Sequence, residues 1–241
     1  MIKPMVLGIT VFLASCTASD IKKVENIVKQ NLKPTTAESI TATKQAIEEG
    51  VKTGVSALGA KNGFWQSSYR LLAPKELQDT MAFARNAGLG NYVDRFEKSL
   101  NRAAEQAAQA ATPVFVDAVK AMTVTDVVGI LSGPDNAATK YFESKSSDRL
   151  RTTFLPIVEK ATSKNEVSKL YKELIQPLAP MAKLAGFNIP NVSLEEYVTQ
   201  QTISALFVKI ADEEKKIRKN PAERSTQLLK KVFGYYQNKK R

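Results

Sequence analysis

The chain has 241 residues, with 35 Lys and Arg against 24 Asp and Glu for a net charge of +11, no histidine and one cysteine. Without histidine there is no Ser-His-Asp or Cys-His triad and no histidine-ligated zinc. A single cysteine rules out an intramolecular disulfide, and no P-loop or dinucleotide fingerprint occurs, so no metal and no cofactor is expected.

The first element is a leader. Lys3 is the only charge before Asp20, and an apolar run from Val6 to Leu13 follows it. A short positive head and a run of this length read as a secretory signal. A membrane span needs roughly 20 apolar residues. The run ends Leu13-Ala14-Ser15-Cys16, which resembles the lipobox of bacterial lipoproteins. That resemblance implies lipid on Cys16, cleavage before it, and a body held at the periplasmic face of the cell envelope. Several acyl chains anchor stably where one holds only marginally. By resemblance to enterobacterial lipoproteins, Thr17 in place of Asp implies sorting to the outer membrane. Losing Lys3 with the signal takes one from +11 and leaves +10. A body this basic is drawn to anionic surfaces. Export argues against nucleic acid as a partner.

The rest reads as helix after helix. Ile21, Val24, Ile27, Val28 and Leu32 form one stripe, stopped before Pro34. Thr35 and Glu38 make a capping box. It opens a long helix through Ile40, Ile47, Val51, Val55 and Leu58, ending near Gly59. Phe64, Trp65, Tyr69 and Leu71 lie in an irregular stretch that suits an extended piece or short hairpin. Pro74 is placed as a first helical residue, and the helix after it stops at Gly88. Val93, Phe96, Leu100, Ala104, Ala107 and Ala111 form the next stripe, broken or kinked at Pro113.

Thr123 and Asp126 repeat the box ahead of Val127, Ile130 and Leu131, and Gly133-Pro134 closes that segment. Two helices are then expected, one with Tyr141 and Phe142 and one with Leu150, Phe154 and Val158. A third, through Leu170 and Leu174, ends or kinks near Pro177. Ser193 and Glu196 start a long helix that Asn220-Pro221 stops. Leu228 to Phe233 make a last short helix before Gly234. The fold class is all-α, one multi-helix bundle-like domain with a small β element near residues 63–73. The divisions are a signal over 1–15, a lipidated N-terminus with a first helix over 16–34, a helical domain over 35–234 and a frayed basic tail over 235–241.

Several segments, in order, resemble the bacterial domain-of-unknown-function 4197 family. They include Leu100-Asn101-Arg102-Ala103-Ala104-Glu105, Ile130-Leu131-Ser132-Gly133 and Ala137-Ala138-Thr139-Lys140-Tyr141-Phe142. Near the end come Asp212-Glu213-Glu214-Lys215-Lys216-Ile217-Arg218-Lys219-Asn220-Pro221 and Leu228-Leu229-Lys230-Lys231-Val232-Phe233-Gly234. The match runs from about residue 40 to 234, with Ser132 where members often carry Gly or Arg. The resemblance implies an exported, mostly helical protein and supplies no catalytic residue.

Candidate sites follow from the residues. Asn101, Arg102 and Glu105 share one helical stretch and suit either a polar pocket or a network fixing helix register. Asp126, Asp135 and Thr139 flank the Gly133-Pro134 turn, where helix starts offer N–H groups to an anion, although acidic side chains there cap the ends themselves. Lys209–Glu213, Asp212–Lys216 and Glu214–Arg218, all at i,i+4, read as a solvated salt-bridged face. Phe64 and Trp65 fit either the core or a lipid interface. Lys230, Lys231, Lys239, Lys240 and Arg241 would add headgroup attraction. The first functional expectation is a non-catalytic binding or scaffolding lipoprotein, with the membrane joined through Cys16 and a lipid or envelope protein as partner. The alternative is a carboxylate hydrolase of envelope polymers, which requires Glu105, Asp117 or Asp126 to converge in a cleft with a raised pKa.

Overall fold

The computed structural model describes residues 33–164, 167–184, 186 and 189–239. The signal, Cys16, the stripe over 21–32, Lys240 and Arg241 lie outside the described residues.

Helix α1 spans Thr36–Gly59. Thr35 Oγ1 accepts from the Glu38 N–H at 3.1 Å, and the Glu38 carboxylate accepts from the Thr35 N–H at 2.8 Å, so the expected capping box forms. Gly50 and Gly54 face another helix, α8 (Leu194–Lys219). A Cβ on Gly54 would sit 3.4 Å from Ile210 Cγ1, and one on Gly50 3.6 Å from Glu213 Cβ. Two glycines one turn apart therefore set the close approach of these helices. The chain leaves α1 through Asn62, at φ 70°, and Gly63, where a Cβ would strike the carbonyl oxygens of Ala57 and Leu58.

The β element expected near residues 63–73 is not formed, and there is no strand among the described residues. The segment is a chain of turns. Its N–H groups go to nearby carbonyls or to side chains of a later helix, so no strand partner is needed to satisfy them. Pro74 caps a 3-10 turn, Lys75–Leu77, that leads into α2, Gln78–Ala84. A wide turn over Arg85–Leu89 with Gly88 at φ 83° then redirects the chain.

Helix α3, Gly90–Gln109, lies at the centre and packs on α1, on α8, and on the helices α6 (Ala137–Lys164) and α7 (Val167–Leu184). Val93, Phe96, Leu100, Ala103, Ala104, Ala107 and Ala108 are fully buried. The alanines remove the bulk that would hold its neighbours apart. Gln109 Nε2 donates to Gly59 O at 2.6 Å and fastens the end of α1 to the end of α3. The break expected at Pro113 comes at Ala110. Helix α4, Ala111–Lys120, then holds Pro113 in its first turn, where no N–H partner is required.

Helix α5, Val124–Ser132, starts at the second capping box, Thr123 with Asp126. The two helices expected over 137–164 are one, α6. The polar stretch that reads as a break stays helical because its hydroxyls bond back to their own helix. Ser144 donates to Tyr141 O, Ser146 to Phe142 O, Ser147 to Glu143 O and Thr152 to Asp148 O. Helix α7 continues through Pro177 and Pro180, beyond the expected stop. Helix α8 is capped by Ser193 Oγ and ends at Asn220. Phe115, Phe142 and Phe207 meet edge to face at 5.9–6.1 Å and join α4, α6 and α8.

Helix α9, Gln227–Lys239, corrects two expectations. It runs through Gly234, and the tail to Lys239 is ordered helix. Buried Arg224 is the cause. It donates to the carbonyls of Ile217 and Arg218 at the end of α8, and to Gln237 Oε1 at 2.7 Å, so it holds the last turns of α9 in place. Burial pushes its guanidinium pKa down. Among the described residues, no helix is long and apolar enough to cross a membrane.

Candidate functional site

The structure brings Asn101, Arg102 and Glu105 together on α3, beneath the 60–73 segment. Asn101 is fully buried, accepts from the Leu71 N–H at 2.8 Å and donates to Leu71 O and Glu97 O at 2.7 Å each. The Glu105 carboxylate accepts from the Phe64 N–H at 3.3 Å and the Trp65 N–H at 3.5 Å. Arg102 donates to Glu105 and, through Nη2, to Asn62 Oδ1 at 2.6 Å. The trio spends its donors and acceptors on the backbone of an irregular segment. It fixes that segment on α3, where the sequence pattern suggested helix against helix.

Phe64 is fully buried, which corrects its reading as an interfacial aromatic: its backbone is pinned by Glu105 and its ring fills the core. Trp65 is partly exposed, with the Arg70 guanidinium 4.0 Å from its ring centroid.

The candidate carboxylates have separate employment. Asp117 pairs with Arg149 at 2.7 Å near the surface. Asp126 closes the cap of α5, and hydrogen bonds from Thr123 hold its carboxyl below the ordinary range. That direction keeps Asp126 ionised, opposite to the raised pKa a general acid needs. Neither shares a hydrogen-bond partner with Glu105.

The acidic and basic run over 209–219 is more than a solvated face. Lys209–Glu213 forms at 2.9 Å, and Glu213 also takes Lys216 at 2.9 Å, while Asp212 accepts from the Tyr69 hydroxyl. Glu214 and Arg218 are largely buried. The Glu214 carboxylate accepts from the N–H groups of Ala138 and Thr139 at 2.9 Å each and from Thr139 Oγ1 at 2.8 Å. Arg218 pairs with it and donates to Ile130 O at 2.7 Å. The helix start weighed as an anion site is capped from within this chain: Glu214 sits at the positive end of α6.

An open groove runs between α6 and α8 with a volume of about 350 Å³. The helices are antiparallel, joined at one end by Arg151 and Glu196 at 2.7 Å and at the other by Thr139 and Glu214. Thr139, Glu143, Ser147 and Arg151 recur every fourth residue along one wall, and Gln200, Ser204 and Val208 along the other. The floor is Ile203 and Phe207, and Val208 is 51 % exposed. Of these residues only Thr139 is marked by the sequence, beside the Gly133-Pro134 turn. The remaining signal was two i,i+4 rows of mostly polar side chains, legible once the helices are known to be neighbours. The interior offers less. An apolar cavity lined by Thr43, Ile47, Phe142, Ile210 and Phe233 measures about 20 Å³, room for a single water and far below an acyl chain. No group of three or more potential metal ligands occurs among the described residues.

No curated protein matches the chain, and no solved structure matches it. A family model described as "Protein of unknown function (DUF4197)" matches residues 33–234, from just before the first cap to the middle of α9. The chain therefore belongs to the DUF4197 family.

Proposed function

We propose that this chain is a lipid-anchored, non-catalytic binding or scaffolding module of the bacterial envelope, and that it takes an envelope protein on its surface, in the groove between α6 and α8. The observation that carries the reading is that groove: an apolar floor, a half-exposed valine, and polar walls in which Thr139, Ser147 and Ser204 alternate with the longer Glu143, Arg151 and Gln200. Such a trough suits a helical or extended segment of another protein. The 20 Å³ of the interior cavity favours surface docking over a carried lipid. The engagement of Glu105, Asp117 and Asp126 in separate structural contacts favours binding over hydrolysis. The anchor rests on the Leu13-Ala14-Ser15-Cys16 sequence.

The test is site-specific photocrosslinking in the bacterial host. A photoreactive side chain replaces Ser204 in the groove or, as a control, exposed Ser56 on α1. The reading expects one discrete adduct from position 204, absent from position 56 and lost with Val208→Glu. Equal labelling from both positions, or none from 204, contradicts it.

A further inference from the structure

We propose that the pocket between the end of α5, the end of α8 and the last turns of α9 is a binding site for a carboxylate carried on a small apolar body. It shares no lining residue with the α6–α8 groove and stands whether or not that groove takes a partner.

The pocket holds about 210 Å³. That is below the roughly 300–1,000 Å³ of a site for a drug-sized molecule, and it suits a single ring or branched chain. Leu131 and Phe233, both buried, and the partly exposed Tyr236 supply apolar walls. Lys219 and Asp135, each about half exposed, pair at 2.8 Å at the rim.

The polar groups left over are donors. Arg218 lines the pocket with its side chain only 8 % exposed. Its Nε and Nη2 are spent on Glu214 and on Ile130 O, and Nη1 has no hydrogen bond among the described residues. Gln237 gives its Oε1 to Arg224 Nη2, 2.7 Å away. A guanidinium only donates, so this contact fixes the orientation of the amide and leaves Nε2 with two N–H groups to give. The bond from Arg224 also polarises that amide and strengthens its donors. The Tyr236 hydroxyl is a third group without a hydrogen-bond partner among the described residues.

Charge points the same way. Arg218, Lys219 and Arg224 meet Glu214 and Asp135, three cations against two carboxylates. Arg224 has no carboxylate: it is buried and bonds the carbonyls of Ile217 and Arg218 and the Gln237 amide. Glu223, the next acid in the chain, turns to Asn220. The ends of α5 and α8 would repel an anion, but Ile130 O, Ile217 O and Arg218 O each accept from one of the two arginines. A buried charge without a counter-charge is costly, and a nearby anion lowers that cost. A carboxylate taken by Arg218 Nη1 and Gln237 Nε2 would face Arg224 across a single amide, with its apolar body against Leu131 and Phe233.

The test uses the full-length protein purified from membranes in a neutral detergent and follows the fluorine resonance of para-fluorophenylacetate. Saturable broadening is expected, with a Kd of about a millimolar or below for a ligand this small. The neutral para-fluorophenylacetamide should bind about tenfold more weakly, or worse. Gln237→Glu keeps an acceptor for Arg224, so the urea midpoint should not fall. Its carboxylate repels the probe, and affinity should drop about tenfold or more. Val208→Glu, in the groove, should bind as the native chain does. A tripeptide ending in para-fluorophenylalanine separates two sources of such a group. Tighter binding than the free acid assigns the pocket to the C-terminus of a chain, and weaker binding assigns it to a free acid. No saturable change up to about 10 mM probe overturns the proposal. So does equal affinity for acid and amide, or undiminished binding by a folded Gln237→Glu. If that variant does not fold, the comparison of acid with amide on the native chain decides alone.

Discussion

Two polar clamps hold this molecule, and they differ in what they hold. At one end Asn101, Arg102 and Glu105 bind the backbone of a segment without regular structure, supplying hydrogen bonds that a strand partner would otherwise give. At the other end Glu214 and Arg218 join three helices, with the carboxylate at the start of α6 and the guanidinium on a carbonyl near the end of α5. Both use a carboxylate against an arginine with little water. The first sets the shape of one loop, and the second sets the packing of the bundle. Loss of the first should be felt locally, and loss of the second globally.

The largest effect is expected from Glu214→Ala. Arg218 would stay buried without its partner and two N–H groups would be orphaned, a cost of about 3–5 kcal/mol. Urea unfolding measures it, and Trp65 emission of the folded protein should not move. Glu105→Ala should cost less, about 2–3 kcal/mol, because Arg102 is partly exposed and water reaches it. This variant should shift Trp65 emission to the red as the segment loosens. The reverse pattern, with Trp65 responding to Glu214→Ala and silent in Glu105→Ala, would break the comparison.

A smaller effect belongs to Thr35→Ala, about 1 kcal/mol from the cap of α1, read as a fall in urea midpoint. Acid sharpens the picture further. A hydrogen bond from Lys231 holds the Glu38 carboxyl below its ordinary value of 4.5. Burial pushes Glu213 up, but Lys209 and Lys216 outweigh it, and its net shift is also downward. Carboxyls depressed in the folded state stabilise it above their unfolded pKa and lose that contribution as pH falls through the folded value. The urea midpoint should therefore hold near neutrality and fall from about pH 5 downward. Asp117→Asn, at an exposed pair with Arg149, should change stability by less than about 1 kcal/mol.

Much of the helical layout was legible because it is local. The Thr35–Glu38 and Thr123–Asp126 boxes span three residues each, and the stripes of α1 and α3 are periodic. The 60–73 segment misled because Phe64, Trp65, Tyr69 and Leu71 have strand-forming side chains, whereas the groups that decide its conformation, Asn101 and Glu105, lie 30 to 41 residues away. Helix α6 read as two because serines and threonines usually interrupt helices, and here their hydroxyls return to the helix's own carbonyls. Glu214–Arg218 was visible as a pair, but its true partners on α5 and α6 lie 75 to 88 residues off. The α6–α8 groove exists only between two helices, so neither row of residues announces it alone.

The most direct measurement is the native mass spectrum of the protein expressed with its own signal and purified from membranes, alongside Cys16→Ala. The account predicts a chain beginning at Cys16 with three acyl groups, no tightly held hydrophobic ligand, and loss of the acyl mass in the variant. An unacylated chain, or a stoichiometric lipid released only on denaturation, would contradict it.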